Sequence, residues 1–169
     1  MKKLIFGLIA TVIFGNFSYS QDADIVNSNC TLRIGEVVGK VDKNSFLITI
    51  DKEKLLNDFS IIAKESGLNV KYNLVEIRRA NPDAASTLYG LYGFSNDGFT
   101  NTAISLELNN GVFSISKTGA TITCSSVDCT GSQCTAINTG TIWTCTACSK
   151  KGCSKTTVVV IKSFEMESN

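Results

Sequence analysis

Histidine is absent from all 169 residues. That removes the commonest general base, the commonest metal ligand and every Ser–His or Cys–His nucleophile pair. An excess of one charge is missing as well. Lys and Arg number 16 against 15 Asp and Glu, a formal net charge of +1. If Lys2 and Lys3 leave with a leader, 14 basic residues face 15 acidic ones and the net charge is −1. Such a balance offers nothing to nucleic acid or to a charged membrane surface. Apolar runs of spanning length are lacking too, since the run 4–17 falls short of the roughly 20 residues that cross a bilayer. The turn 95–98 (SNDG) has too few spaced oxygen ligands for a calcium loop. Proline and tryptophan occur once each.

What is present begins with an export signal. Lys2 and Lys3 precede the apolar run, and Ser18-Tyr19-Ser20 supplies small residues at the two positions that a signal peptidase reads. This predicts a signal peptide over 1–20 and a mature chain 21–169, whose length suits one domain. No cysteine opens that mature chain, so a lipid anchor is not expected there. The expected location is extracellular, periplasmic or at the cell surface, with no membrane span after cleavage.

Along the mature chain, 21–29 is polar and small, a loose start. A weak strand is expected within 31–41, where Gly35 and Gly39 lower the propensity. Asp42-Lys43-Asn44 is turn material, and alternation over 46–50 predicts a strand. Asp51 stands at a helix N-cap position. Leu55, Phe59 and Ile62 then recur at helical spacing, widened by Leu56 and Ala63, and Gly67 suits the left-handed residue after the last turn. A helix over 52–66 follows.

Val70, Tyr72 and Leu74 alternate in one phase, and Val75 and Ile77 in the other, which predicts a strand with a bulge near Leu74-Val75. The stretch 81–83, with the only proline, is a turn. A further strand is expected over 87–94, its glycines marking a bulge or a close backbone approach. Asn110-Gly111 is a type I′ hairpin signal that sets Leu108 opposite Phe113 and Leu106 opposite Ile115. Thr118-Gly119 is read as a second reversal, placing Ile122 opposite Ile115 and Cys124 opposite Phe113. These turns predict a three-stranded meander over 102–124, with Ile104, Leu106, Leu108, Phe113, Ile115, Ile122 and Cys124 on one face against the helix. An inner strand over 156–164 closes the chain before a polar tail.

The fold class is therefore α+β. One helix packs on an antiparallel meander, and a disulfide-rich loop module over 124–153 precedes the last strand. In element order this is similar to cystatin-like folds, an analogy that carries no function.

Six of the seven cysteines, Cys124, Cys129, Cys134, Cys145, Cys148 and Cys153, lie in that module. Its sizeable apolar residues are Val127, Ile137, Ile142 and Trp143, too few to hold a shape by packing. In an exported protein the expected staples are disulfides, and six cysteines leave 15 connectivities open. One alternative is zinc held by Cys129, Cys134, Cys145 and Cys148, since Cys145-Thr-Ala-Cys148 has zinc-knuckle spacing. Another is thiol–disulfide exchange at that CxxC, although no helix N-terminus is expected there to lower a thiol pKa. Cys30 makes the count odd. It is read as a buried thiol, as a link in a covalent homo-oligomer, or as a partner for one of the six. Trp143 is expected to lid the disulfides.

The export signal, the β-helix-β front half and the ending TGSQC…WTCTAC…GCSKT resemble small secreted bacterial proteins, Bacteroidota-type, with a C-terminal cysteine cluster. The resemblance implies a secreted bacterial protein and assigns no catalytic residue. The function expected from the residues is a non-catalytic binding, interaction or surface module with a protein or surface partner and no cofactor. Ile137, Ile142 and Trp143 are its contact candidates. Alternatives are an inhibitor or toxin-like effector, a zinc or exchange protein, and a filament subunit. The non-reduced intact mass of the exported protein should begin at Gln21 and show a two-proton deficit for each disulfide. An all-thiol mass carrying one zinc would overturn this assignment.

Overall fold

The computed structural model describes residues 29–81, 88–129, 134–140, 142–148 and 152–158. The predicted signal peptide over 1–20, the loose start 21–28, the turn at Pro82 and residues 159–169 lie outside them. Helix α1 (Lys52–Glu65) starts as its sequence predicts, with Asp51 Oδ1 accepting from the amides of Glu53 (2.7 Å) and Lys54 (3.1 Å). It ends at Ser66 in a Schellman arrangement, where Gly67 N donates to Lys64 O and Leu68 N to Ala63 O. Leu55, Phe59, Ile62 and Ala63 form its buried stripe.

Strands β1 (Val37–Asp42), β2 (Ser45–Ile48), β3 (Tyr72–Arg79), β4 (Tyr89–Ser95), β5 (Thr100–Asn109), β6 (Val112–Ile115), β7 (Thr121–Ser125) and β10 (Ser154–Val158) make one antiparallel sheet. Strands β8 (Ala136–Asn138) and β9 (Trp143–Cys145) pair as a separate ribbon. The main path runs β10-β7-β5-β6-β1-β2, with β4 and then β3 branching from the other edge of β5. Bulges at Val37/Gly39 and Tyr72/Leu74 add coil to the strands, so β3 comes round beside β2 and the sheet is nearly barrel-shaped. The second bulge returns Val75 and Ile77 to the core after Leu74, as the change of phase predicts.

The Asn110-Gly111 hairpin has the expected register, Leu108 opposite Phe113 and Leu106 opposite Ile115, with both turn residues at positive φ. The meander does not continue from it. Strand β6 covers only the far half of the ten-residue β5, leaving the edge of 100–105 without partners. Strand β7 takes that edge instead of folding back on β6, and it sets Ile122 opposite Ala103 and Cys124 opposite Asn101. The turn closed by Gly119 N on Ser116 O is an excursion, because Ser105 bonds Ser116 N before it and Ala120 O after it. A shift in register changes which face a side chain meets. Ile104, Leu106, Leu108, Phe113 and Ile115 face the helix side, as expected, whereas Ile122 and Cys124 belong to a second cluster on the opposite face.

The helix-side core joins α1 to Val38, Tyr72, Val75, Ile77, Tyr89, Leu91, Ile104, Leu106, Phe113 and Ile115. Phe46, Tyr89 and Phe113 meet edge to face, with centroids 5.0–5.4 Å apart, a favoured aromatic geometry. The expected inner strand near the C-terminus is found as β10. Among the described residues it pairs with β7 alone, so it is an outer strand there.

Gly93 lets α1 approach the sheet, since a Cβ there would lie 2.6–2.9 Å from three Phe59 ring carbons. Gly93→Ala should therefore lower the urea-unfolding free energy by about 1–3 kcal/mol through overpacking.

Candidate functional site

Three disulfides staple the module: Cys124–Cys145, Cys129–Cys148 and Cys134–Cys153. Each closes a loop of a length at which a bridge stabilises by about 3 kcal/mol on the chain-entropy view. Because Cys124 leaves β7 on the face away from α1, the module folds over that face. A second small core forms there from Tyr92, Ala103, Ile122, Cys124, Cys134 and Ala136, with Phe94, Trp143, Cys145 and Cys153 at its margin.

Polar bolts fix the module in place. The buried Asn101 side chain donates to Cys134 O (2.7 Å) and accepts from Ala136 N (2.9 Å), and the Tyr92 hydroxyl donates to Ala136 O (3.1 Å). Asn138 N donates to Ala80 O at the end of β3, and Lys155 Nζ donates to Trp143 O. Asn101 escapes a reading of periodicity. The available signal is that asparagine is depleted in strand interiors, so one there marks a bonding role.

The sequence-flagged residues separate in this setting. Trp143 is half-buried at the margin of this second core, with its ring edge-to-face with Tyr92 and close over Gly90. Ile137 is half-buried on β8, while Ile142 is 61 % exposed. The three do not form one outward surface. Cys129, Cys134, Cys145 and Cys148, the alternative zinc set, have their sulfurs committed to the bridges.

Cys30 stands outside the bridges as a buried thiol, 3 % exposed. It adjoins Asp58, a fully buried carboxylate on α1 that accepts from both the amide and the hydroxyl of Thr31 at 2.8 Å. Burial, then the neighbouring Asp58 charge, pushes the Cys30 thiol up to about 12. A link between copies through Cys30 would first require this segment to leave the helix.

An open cleft of about 370 Å³ lies where both ends of the module meet the sheet, lined in part by Leu68, Asp97, Phe99, Ser125, Val127 and Ser154. The walls at Leu68, Asp97, Ser126 and the Ser125–Ser154 pair are each held by their own bonds. The Schellman turn places Leu68. Asp97 Oδ1 accepts from Ser95 Oγ (2.5 Å) and Phe99 N (3.0 Å), fixing the β4–β5 turn. These two bonds hold the Asp97 carboxyl below its ordinary range. Ser126 Oγ accepts from Asp128 N and Cys129 N, and Ser125 and Ser154 bond each other across the β7–β10 pair at 2.8 Å. Behind the cleft a hydroxyl chain runs Ser66–Thr123–Thr102–Tyr72. The sequence marks 95–98 as a turn, and no local signal joins it to Ser125 and Ser154.

Burial also raises the Tyr72 hydroxyl to about 12 and raises Tyr92 further. The folded state thus keeps protons that the unfolded chain releases from about 9 (Cys30) and 10 (the tyrosines) upward. These contributions are complete below pH 9 and are lost as pH rises toward 12. The urea midpoint should hold up to about pH 8.5 and then fall, and Cys30→Ser should flatten the decline between pH 9 and 10.

No protein-family model, curated protein or solved structure matches this chain.

Proposed function

We propose that this is an exported, non-catalytic binding protein whose contact site is the cleft at the base of the stapled module. The observation that carries the reading is the independent fixing of the cleft walls at Leu68, Asp97, Ser126 and the Ser125–Ser154 pair. The helix C-cap, the Asp97 turn, the Ser126 turn and the Ser125–Ser154 bond are all made between the chain's own groups. A preformed site loses little conformational freedom on binding, so its contacts count almost fully toward affinity. The three disulfides suit an oxidising compartment, in keeping with the signal at 1–20 and the resemblance to secreted bacterial proteins. A chain without histidine favours recognition over turnover. The contact moves away from the 134–145 loop because its tryptophan is spent on internal packing.

Val127 is 82 % exposed at the cleft and Ile142 61 % exposed on the loop, so both accept substitution without disturbing the core. Immobilised protein should retain a partner from the extracellular medium or envelope fraction of its source cells. Val127→Arg should reduce that capture at least tenfold, and Ile142→Arg should leave it unchanged. Equal capture by wild type and Val127→Arg would move the contact elsewhere, and reduction of insulin disulfides by the protein would overturn the non-catalytic reading.

A further inference from the structure

Charge and shape together select what the cleft takes. Both bonds received by Asp97 fall on Oδ1, and among the described residues Oδ2 accepts none. A second carboxylate stands close by, with Asp128 Oδ2 3.9 Å from where a Cβ on Gly152 would be. No Lys or Arg of the described residues lines the cleft, and Leu68, Phe99 and Val127 supply its apolar surface. Among the described lining residues an anion would meet the Asp97 carboxylate and no cation. A purely apolar group would desolvate Asp97 without giving it a partner, which is costly. An alkyl stem ending in a cation satisfies both parts, because such side chains lay their methylenes on apolar surface and keep the charge at a polar rim.

We infer that the cleft binds a lysine or arginine side chain of a partner polypeptide, its stem along Leu68, Phe99 and Val127 and its cationic head on Asp97. This rests on the cleft being the contact site. Charge complementarity at a half-open rim contributes to orientation and encounter as well as to affinity. The serine hydroxyls of the β7–β10 pair, Ser125 and Ser154, stand ready to accept further N–H donors from the same head group.

The test is an NMR titration of the full mature protein with four probes: Nα-acetyl-lysine-N-methylamide, the matching norleucine and glutamate amides, and methyl glucoside. The lysine amide should shift the Leu68 and Val127 methyl and Phe99 ring signals saturably, with the other two amides at least tenfold weaker. Asp97→Asn keeps an acceptor for Phe99 N, so the turn survives. It should weaken the lysine amide at least tenfold while the spectrum stays dispersed. Lys150 and Lys151 precede Gly152 in sequence, so the titration is repeated in Lys150→Ser/Lys151→Ser, where the same order of probes must hold. Equal binding by the norleucine amide, an unchanged Asp97→Asn, or a different order in the lysine variant would overturn the inference. Saturation by methyl glucoside alone would leave the cleft as a site and refute its ligand class. Silence from all four would remove the cleft itself.

Discussion

The architecture depends on how the long edge of β5 is filled. A ten-residue strand facing a four-residue partner leaves backbone donors and acceptors that must be bonded somewhere. Bringing β7 onto that edge meets the need, and it also decides which way Cys124 points. Had β7 paired with β6, Cys124 would have faced α1 and the cysteines would have had no sheet surface to cover. With β7 on β5, the helix closes one face and the stapled module the other.

The two faces are held by different physics. On the helix side the contacts are apolar and aromatic, and Gly93 lets Phe59 reach the backbone. On the module side there is little carbon to bury. Sulfur bridges, an asparagine amide and a tyrosine hydroxyl hold what methyl groups cannot. A buried amide that satisfies both its donor and its acceptor fixes one register, since a misplaced backbone would strand both groups. Asn101 therefore orients the module, while the disulfides limit how far it strays.

Legibility in the sequence followed the range of the interaction. Asp51, the Leu55/Phe59/Ile62 stripe and Gly67 act within a few residues of one another, and the helix was readable to its caps. Asn110-Gly111 likewise encodes its own register. The glycines of 87–94 announced a close approach, though Phe59 and Trp143 as the neighbours did not show. Thr118-Gly119 was misread because a reversal and an excursion share the same residues, and only the vacancy on β5 distinguishes them. The cysteine count indicated staples but not their pairing. The cleft was illegible altogether, since its walls come from segments separated by up to about ninety positions and meet only through the sheet.

The order of pairing, first to fourth, second to fifth and third to sixth, has one further consequence. The three covalent loops interleave, so a single backbone cut at any point between Cys124 and Cys153 falls inside at least one of them. No such cut divides the chain. Ser125 and Ser154, paired across β7 and β10, would stay tethered after a protease had opened the module between them, and a nicked molecule would still be one molecule.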